Sequence, residues 1–158
     1  MIVSLPELVP IVAGLKQAGR RIVFTNGCFD ILHVGHVRYL KSAKALGGAL
    51  IVGLNSDKSV KRIKGDKRPI VPERERAEVL SSIRFVDYVV LFDEPDPYNT
   101  IAAIKPDILV KGGDWSLENI VGRDIVESYG GEVHTLPFIE GASSSRMIED
   151  IIKKYGKK

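Results

Sequence analysis

At 158 residues the chain is long enough for one domain with a single core, and with 44% apolar and 27% charged residues it is expected to be an ordinary soluble globular protein. One Cys excludes an internal disulfide, no apolar run approaches the ~20 residues that span a bilayer, and the N-terminus lacks the basic-then-apolar order of a signal peptide, so a reducing, cytoplasmic setting is expected. A net charge of +3 and a pI near 9 raise nucleic acid as a partner, but the basic excess sits in residues 58–68 and 153–158 without a nucleic-acid-binding signature; neither nucleic acid nor a membrane is expected as a partner.

Ser4-Leu5-Pro6-Glu7 has the form of a capping box, Leu5, Leu8, Val12 and Leu15 follow at helical spacing, and Gly19 ends that helix. Residues 21–25 are an apolar, β-branched first strand. After a polar connection, residues 37–46 continue a helix that stops at Gly47-Gly48, and residues 49–54 form a second buried strand. Residues 55–71 are polar, basic and irregular, with a short helix after Ser56 as one option. Pro72 at a helix N1 position opens residues 73–83, whose Ala77, Leu80 and Ile83 can face a core. Residues 87–92 are strand three. Asp96-Pro97 starts a helix through Ile104, and Pro106 bars its continuation. Residues 108–110 form a short strand leading into Lys111-Gly112-Gly113-Asp114-Trp115. A helix over residues 120–129 ends at Gly130-Gly131, residues 132–136 are strand five, and Ser143 caps a last helix through about Lys154.

Five strands alternating with helices imply a single α/β domain with a Rossmann-like, doubly wound, five-stranded parallel sheet, right-handed crossovers and helices on both faces. Ligands of such sheets bind beyond the carboxyl ends of the strands, at the switch point. The polar clusters after strands one, two, four and five are therefore expected to converge.

His33-Val34-Gly35-His36 lies on the first of these strand-to-helix connections. A helix N-terminus offers unpaired N–H groups and about half a positive charge, which suits phosphate, and Gly35 permits close approach to the backbone. A single His at a helix start is more often a cap or a core residue. Two of them, with Asn26, Gly27 and Asp30 just before, point to a site that stabilises charge on a phosphate chain. The His-x-x-His spacing has no third ligand, so no protein-held metal is expected. Gly-x-Gly-x-x-Gly and the P-loop Gly-Lys-Ser/Thr are both absent, which argues against a dinucleotide oxidoreductase and a P-loop phosphotransferase.

Further along, Gly141-Ala142-Ser143-Ser144-Ser145-Arg146 reads as a generous N-cap or as a clamp for the far phosphates of a nucleoside triphosphate. Residues 111–115 are either a turn or a seat for ribose and base. Lys58, Lys61, Arg62, Lys64, Lys67 and Arg68 are a solvated run or, in part, an anion clamp. Cys28 has no neighbouring base in the sequence and reads as a small turn residue rather than a nucleophile.

Asn26-Gly27-Cys28-Phe29-Asp30-Ile31-Leu32-His33, running into His-x-Gly-His, resembles the nucleotidyltransferase superfamily in its cytidylyltransferase-like branch, over nearly the whole chain. Gly53-Leu54-Asn55-Ser56-Asp57, Lys64-Gly65 with Arg68-Pro69-Ile70, Val86-Asp87, Pro106-Asp107, Lys111-Gly112-Gly113-Asp114 and the Gly-x-Ser-Ser element at Gly141 are similar to the adenylyltransferases that make ADP-heptose from ATP and heptose 1-phosphate. In many bacteria that activity is half of a fusion with a sugar kinase.

The resemblance implies catalytic roles for His33, His36 and a mobile lysine, Lys61 or Lys64, of which Lys64 is carried as catalytic. It implies nucleotide contacts from Asn26, Gly27, Cys28, Phe29, Gly35, Lys61, Gly112, Asp114, Trp115, Ser143, Ser144 and Ser145, and sugar-phosphate contacts from Asp30, Asn55, Asp57, Arg62, Arg68 and Lys111. It also implies Mg²⁺ with ATP, a homodimer, and a separate kinase upstream. Phe138-Ile139-Glu140-Gly141 stands where the glycerol-phosphate cytidylyltransferases carry Arg-Thr-x-Gly, which counts against that activity. A cytidylyltransferase acting on a phosphorylated alcohol and a nucleotide-binding regulatory module stay open beside the adenylyltransferase.

Overall fold

Parallel neighbours cannot be joined by a hairpin, and each strand of this chain is followed by helical sequence long enough to cross back over the sheet. A computed structural model describes residues 1–113, 116–137 and 143–156. The elements run α1 (Leu5–Gln17), β1 (Ile22–Gly27), α2 (Val34–Ala45), β2 (Ala49–Asn55), α3 (Asp57–Lys64), α4 (Glu73–Ser81), β3 (Tyr88–Phe92), α5 (Tyr98–Ile104), β4 (Ile108–Gly112), a 3₁₀ turn (Leu117–Asn119), α6 (Arg123–Ser128), β5 (Glu132–Leu136) and α7 (Ser144–Tyr155).

Local chemistry sets most of these boundaries. Glu7 Oε2 accepts from the Ser4 N–H at 2.8 Å, closing the capping box of α1. The short helix after Ser56 forms, with Ser56 Oγ accepting from the Ser59 N–H at 3.2 Å. α2 starts at Val34, ahead of the expected residue 37, because His33 is extended and takes the N-cap position. Pro72 is the N-cap of α4 rather than its first residue. α6 starts at Arg123 rather than residue 120, since Gly122, at φ 86°, breaks the backbone between the 3₁₀ turn and the helix.

All the pairings are parallel, in the order β3-β2-β1-β4-β5. Alternation along β1 and β2 divides the core. Val23, Leu50 and Val52 pack with Leu40, Ala43, Ala77 and Leu80 of α2 and α4 on one face. Ile22, Phe24, Ala49 and Ile51 pack with Leu8, Val12, Ile101, Ile104 and Val126 of α1, α5 and α6 on the other. Gly53 is required here, because a Cβ on it would sit 2.7 Å from the ring of Phe24.

The chain steps outward from β1 to β2 to β3, then returns to lay β4 on the other side of β1, so the switch point falls between β1 and β4. β1 matches β2 over six residue pairs but β4 over only two, Val23 with Ile108 and Phe24 with Leu109. Beyond them the strand ends part, and a crevice opens at the carboxyl edge. Among the described residues no helix is long and apolar enough to cross a membrane.

Candidate active site

The crevice widens into a cleft of about 880 Å³. Its walls are Asn26, Gly27, Cys28, Phe29, Asp30, His33, Gly35 and His36 from the end of β1 onward, Asn55, Lys64 and Arg68 from the end of β2 onward, Lys111 and Gly112 from β4, and Pro137, Ser143, Ser144, Ser145 and Arg146 after β5. The four expected loops do meet. A fifth, Pro95-Asp96-Pro97 after β3, joins them, with Tyr39, Ile63 and Val121.

At the head of α2 the His33 and His36 rings stack, centroids 3.8 Å apart. The Phe29 ring lies 5.2 Å from that of His36, tilted to it by 55°. Phe29 is buried and holds φ at 44°, the left-handed region a bulky side chain enters only where its surroundings enforce it. The His33 N–H reaches His36 Nδ1 at 3.4 Å, which leaves the neutral His36 ring protonated at Nε2 and able to donate there. His33 Nδ1 is sealed from solvent and has no hydrogen-bond partner among the described residues. Burial pulls both imidazoles down, His36 to about 4 with His33 adding to the effect, so both are neutral near pH 7. Negative charge arriving beside them favours their protonated forms.

The connections after β2 are braced. Asp30 is buried, and its carboxylate accepts from the Ile70 N–H at 2.8 Å, the Val71 N–H at 2.8 Å and Arg68 Nε. Burial alone would raise its pKa, but these hydrogen bonds outweigh it and hold the carboxyl below the ordinary range. Arg76, only 1% exposed, donates to Val71 O at 2.8 Å, Cys28 O at 2.6 Å, Asn55 O at 2.8 Å and Asp57 Oδ1 at 2.7 Å. One guanidinium thereby joins three connections. Asn55 Nδ2 donates to Ser59 Oγ at 2.9 Å, and Ser59 Oγ donates to Glu94 O at 2.6 Å.

Several expected residues are therefore placed differently from one another. Asp57 is taken up by Arg76 and is not on the cleft wall, and neither are Lys61 and Arg62, which are exposed on α3. Of the two candidate lysines, Lys64 is the one that lines the cleft. Asp30 and Arg68 line it while bonded to each other. Burial pushes the Cys28 thiol up, as suits an unreactive turn residue. Ser143 Oγ accepts from the Arg146 N–H at 3.1 Å, and Ser144 Oγ donates to Ile31 O at 2.7 Å, so one serine caps α7 and the next ties it to the loop after β1. Asp114, Trp115 and the segment from Phe138 to Gly141 lie outside the described residues.

The sequence reading missed Arg76, Tyr39 and Asp96. Tyr39 carried a signal, being one helical turn beyond His36; its hydroxyl lies 2.6 Å from Thr25 Oγ1 and 3.3 Å from Val110 O, bridging β1 and β4 under the crevice. Burial pushes it up to about 12, so it stays neutral. Asp96 was visible only as a helix cap, and its Oδ1 does accept from the Tyr98 N–H at 3.0 Å. Arg76, inside Glu73-Arg74-Glu75-Arg76, looks like solvated helix surface.

A doubly wound parallel sheet with paired imidazoles on a helix N-terminus at its switch point defines a nucleotidyltransferase. The chain belongs to the cytidylyltransferase-like family, whose model matches residues 24–149. The bifunctional protein HldE of Geobacter sulfurreducens is 52% identical over 153 residues, covering 97% of this chain and 31% of that protein. The protein of the same title from a Nitratiruptor species is 55% identical over 143 residues, covering 90% and 30%. The chain thus spans under a third of the length of these curated relatives. The crystal structure of a lipopolysaccharide core biosynthesis protein from Thermoplasma volcanium superposes with a TM-score of 0.62 at 32% identity, over 78% of this chain and all of that one.

Proposed function

We propose that the protein transfers AMP from ATP to D-glycero-D-manno-heptose 1-phosphate, releasing pyrophosphate and forming ADP-heptose for lipopolysaccharide core or a related surface glycan. The observation that carries transfer at a phosphate is the stacked His33 and His36 pair at the head of α2. The acceptor is supported by the resemblance of the loops after β2 and β4 to the ADP-heptose-forming branch, and by a solved relative titled as a lipopolysaccharide core biosynthesis protein.

In this reading an oxygen of the sugar 1-phosphate attacks the α-phosphorus in line. The new P–O bond forms as the bond to the β-phosphate oxygen breaks, and the electron pair leaves with pyrophosphate. The nucleophile is already anionic near neutral pH, so no strong base is needed, and positioning with charge stabilisation carries the rate. His36, donating from Nε2, and His33 stabilise charge on the phosphate chain, Phe29 and the glycine-containing backbone hold the nucleotide near its α-phosphate, Lys64 approaches the phosphates from α3, and the head of α7 receives the outer ones. Among the described residues no three His, Cys, Asp or Glu side chains group as a metal site, and Mg²⁺ enters as the ATP complex, part of the substrate. A kinase must supply the heptose 1-phosphate. The chain works in the cytoplasm as a homodimer, an association supported by the exposed apolar Ile151, Ile152 and Tyr155 on α7.

Pyrophosphate release with ATP or CTP against heptose 1-phosphate, glycerol 3-phosphate and ethanolamine phosphate tests this reading. Release is expected with ATP and heptose 1-phosphate. Preference for CTP with an alcohol phosphate would transfer the assignment to the cytidylyltransferases, and ATP binding without acceptor-dependent release would make the protein a regulatory module.

A further inference from the structure

The described cations of the cleft differ in how they are compensated. Lys64 and Arg146 are exposed and solvated, and Arg68 is paired with Asp30. Lys111 is drawn in from solvent at the end of β4, where its Nζ donates to Asn26 Oδ1 at 2.6 Å across the gap between the parted ends of β1 and β4. That amide is its one hydrogen-bond partner among the described residues, and no carboxylate of those residues lies within ion-pair distance of it. Asp96, across the cleft, has one carboxylate oxygen committed to Tyr98. Burial pulls the Lys111 ammonium down to about 8, against the opposing pull of Asp96 and Cys28. A charge removed from water without a counter-ion is costly, and a fold keeps one only where something else repays the cost.

We propose that the counter-ion Lys111 lacks among the described residues arrives with substrate: Lys111 is the receptor for a phosphate oxygen at the switch point, and Asn26 holds the ammonium in place until that oxygen binds. This rests on the proposed reaction only for the identity of the ligands. The oxygen belongs either to the α-phosphate of the nucleotide or to the phosphate monoester of the acceptor. Both are anionic, and both must come together where β1 and β4 separate.

K111M removes the charge and keeps the length of the side chain. Wild type and K111M are compared by thermal melting with and without ATP, by calorimetric titration with ATP, and by steady-state kinetics against heptose 1-phosphate. Without ligand K111M is expected to melt higher than wild type, because a half-buried charge with no counter-ion among the described residues is gone. One of the two phosphate ligands binds at least tenfold more weakly, and if that ligand is ATP its rise in melting temperature shrinks as well. A weaker Kd for ATP identifies the α-phosphate; a raised acceptor KM at unchanged ATP affinity identifies the acceptor phosphate. If K111M fails to fold, K111Q, which can still bond Asn26, carries the same comparison.

A neutral variant that melts lower than wild type, or one that keeps wild-type affinity for both ligands, overturns the proposal and makes Lys111 a strut between strands. If wild type binds ATP yet does not turn over heptose 1-phosphate, the adenylyltransferase reading fails while the ATP arm still tests Lys111.

Discussion

The two sides of the cleft treat their buried polar groups in opposite ways. On the side of β2 the buried charges are well partnered: Arg76 donates to four acceptors, and Asp30 accepts from Arg68, Ile70 and Val71. At the head of α2 and the end of β4, His33 Nδ1 has no partner and Lys111 has a single amide among the described residues. Satisfied groups fix loops, while unsatisfied ones carry unmet bonding capacity that a ligand can take up. The contrast separates scaffold from receptor, and perturbing each side is the way to test it.

The largest effect is expected on the scaffold side. R76M removes the tie among the connections after β1, β2 and α3 and leaves several acceptors unanswered, at a cost of about 3–5 kcal/mol in urea unfolding, the range for breaking a buried ionic network. Stability within 1 kcal/mol of wild type, about the value of a single ordinary hydrogen bond, would dissolve the distinction. On the receptor side H36A is expected to keep near-wild-type unfolding but lower kcat by roughly 10²–10³-fold, as for loss of one charge-stabilising donor. A folded H36A with near-normal turnover would remove His36 from the mechanism.

D30N replaces an acceptor with an amide that cannot satisfy the same donors, at about 1–3 kcal/mol. Faster amide exchange at Ile70 and Val71 is expected, with a smaller loss of kcat than in H36A; unchanged exchange would mean that Asp30 does not hold that loop.

A further effect is on pH dependence. His36 titrates near 4 in the fold against an ordinary 6.5, so the unfolded chain takes up its proton first as pH falls. Its contribution to stability is level above about 6.5 and is lost progressively toward 4. H36Q should flatten that part of the profile of melting temperature against pH. ATP should bind more tightly as pH falls below neutrality, because the bound phosphates raise the imidazole pKa. A profile equally steep in H36Q would assign the slope to other groups.

The side of the cleft proposed as the receptor was the more legible in the sequence. His33, His36, Gly35 and Lys111 sit in contiguous motifs at strand ends, where the alternation of strands and helices alone specifies a ligand edge. The sheet was legible for the same reason, since continuous apolar runs leave few ways to bury five strands. The scaffold side was not. Arg76 bonds to residues up to 48 positions away, and nothing local separates it from Arg74 on the same exposed-looking helix. Asp57 and Asp30 were carried as sugar-phosphate contacts by the resemblance, and nothing local in the sequence shows that Arg76 bonds the first and Arg68, Ile70 and Val71 the second. Lys61 and Lys64 could not be told apart until α3 fixed which of them faces the cleft.

The central claim is direct transfer of a nucleotidyl group at the head of α2, and following the α-phosphate tests it most directly. With ATP labelled at the α-phosphorus, label is expected to pass to a nucleotide-sugar only when heptose 1-phosphate is present, with one pyrophosphate released per transfer and none of the label retained on protein. Label trapped on the protein, or pyrophosphate released at the same rate without acceptor, would contradict direct transfer to the sugar phosphate.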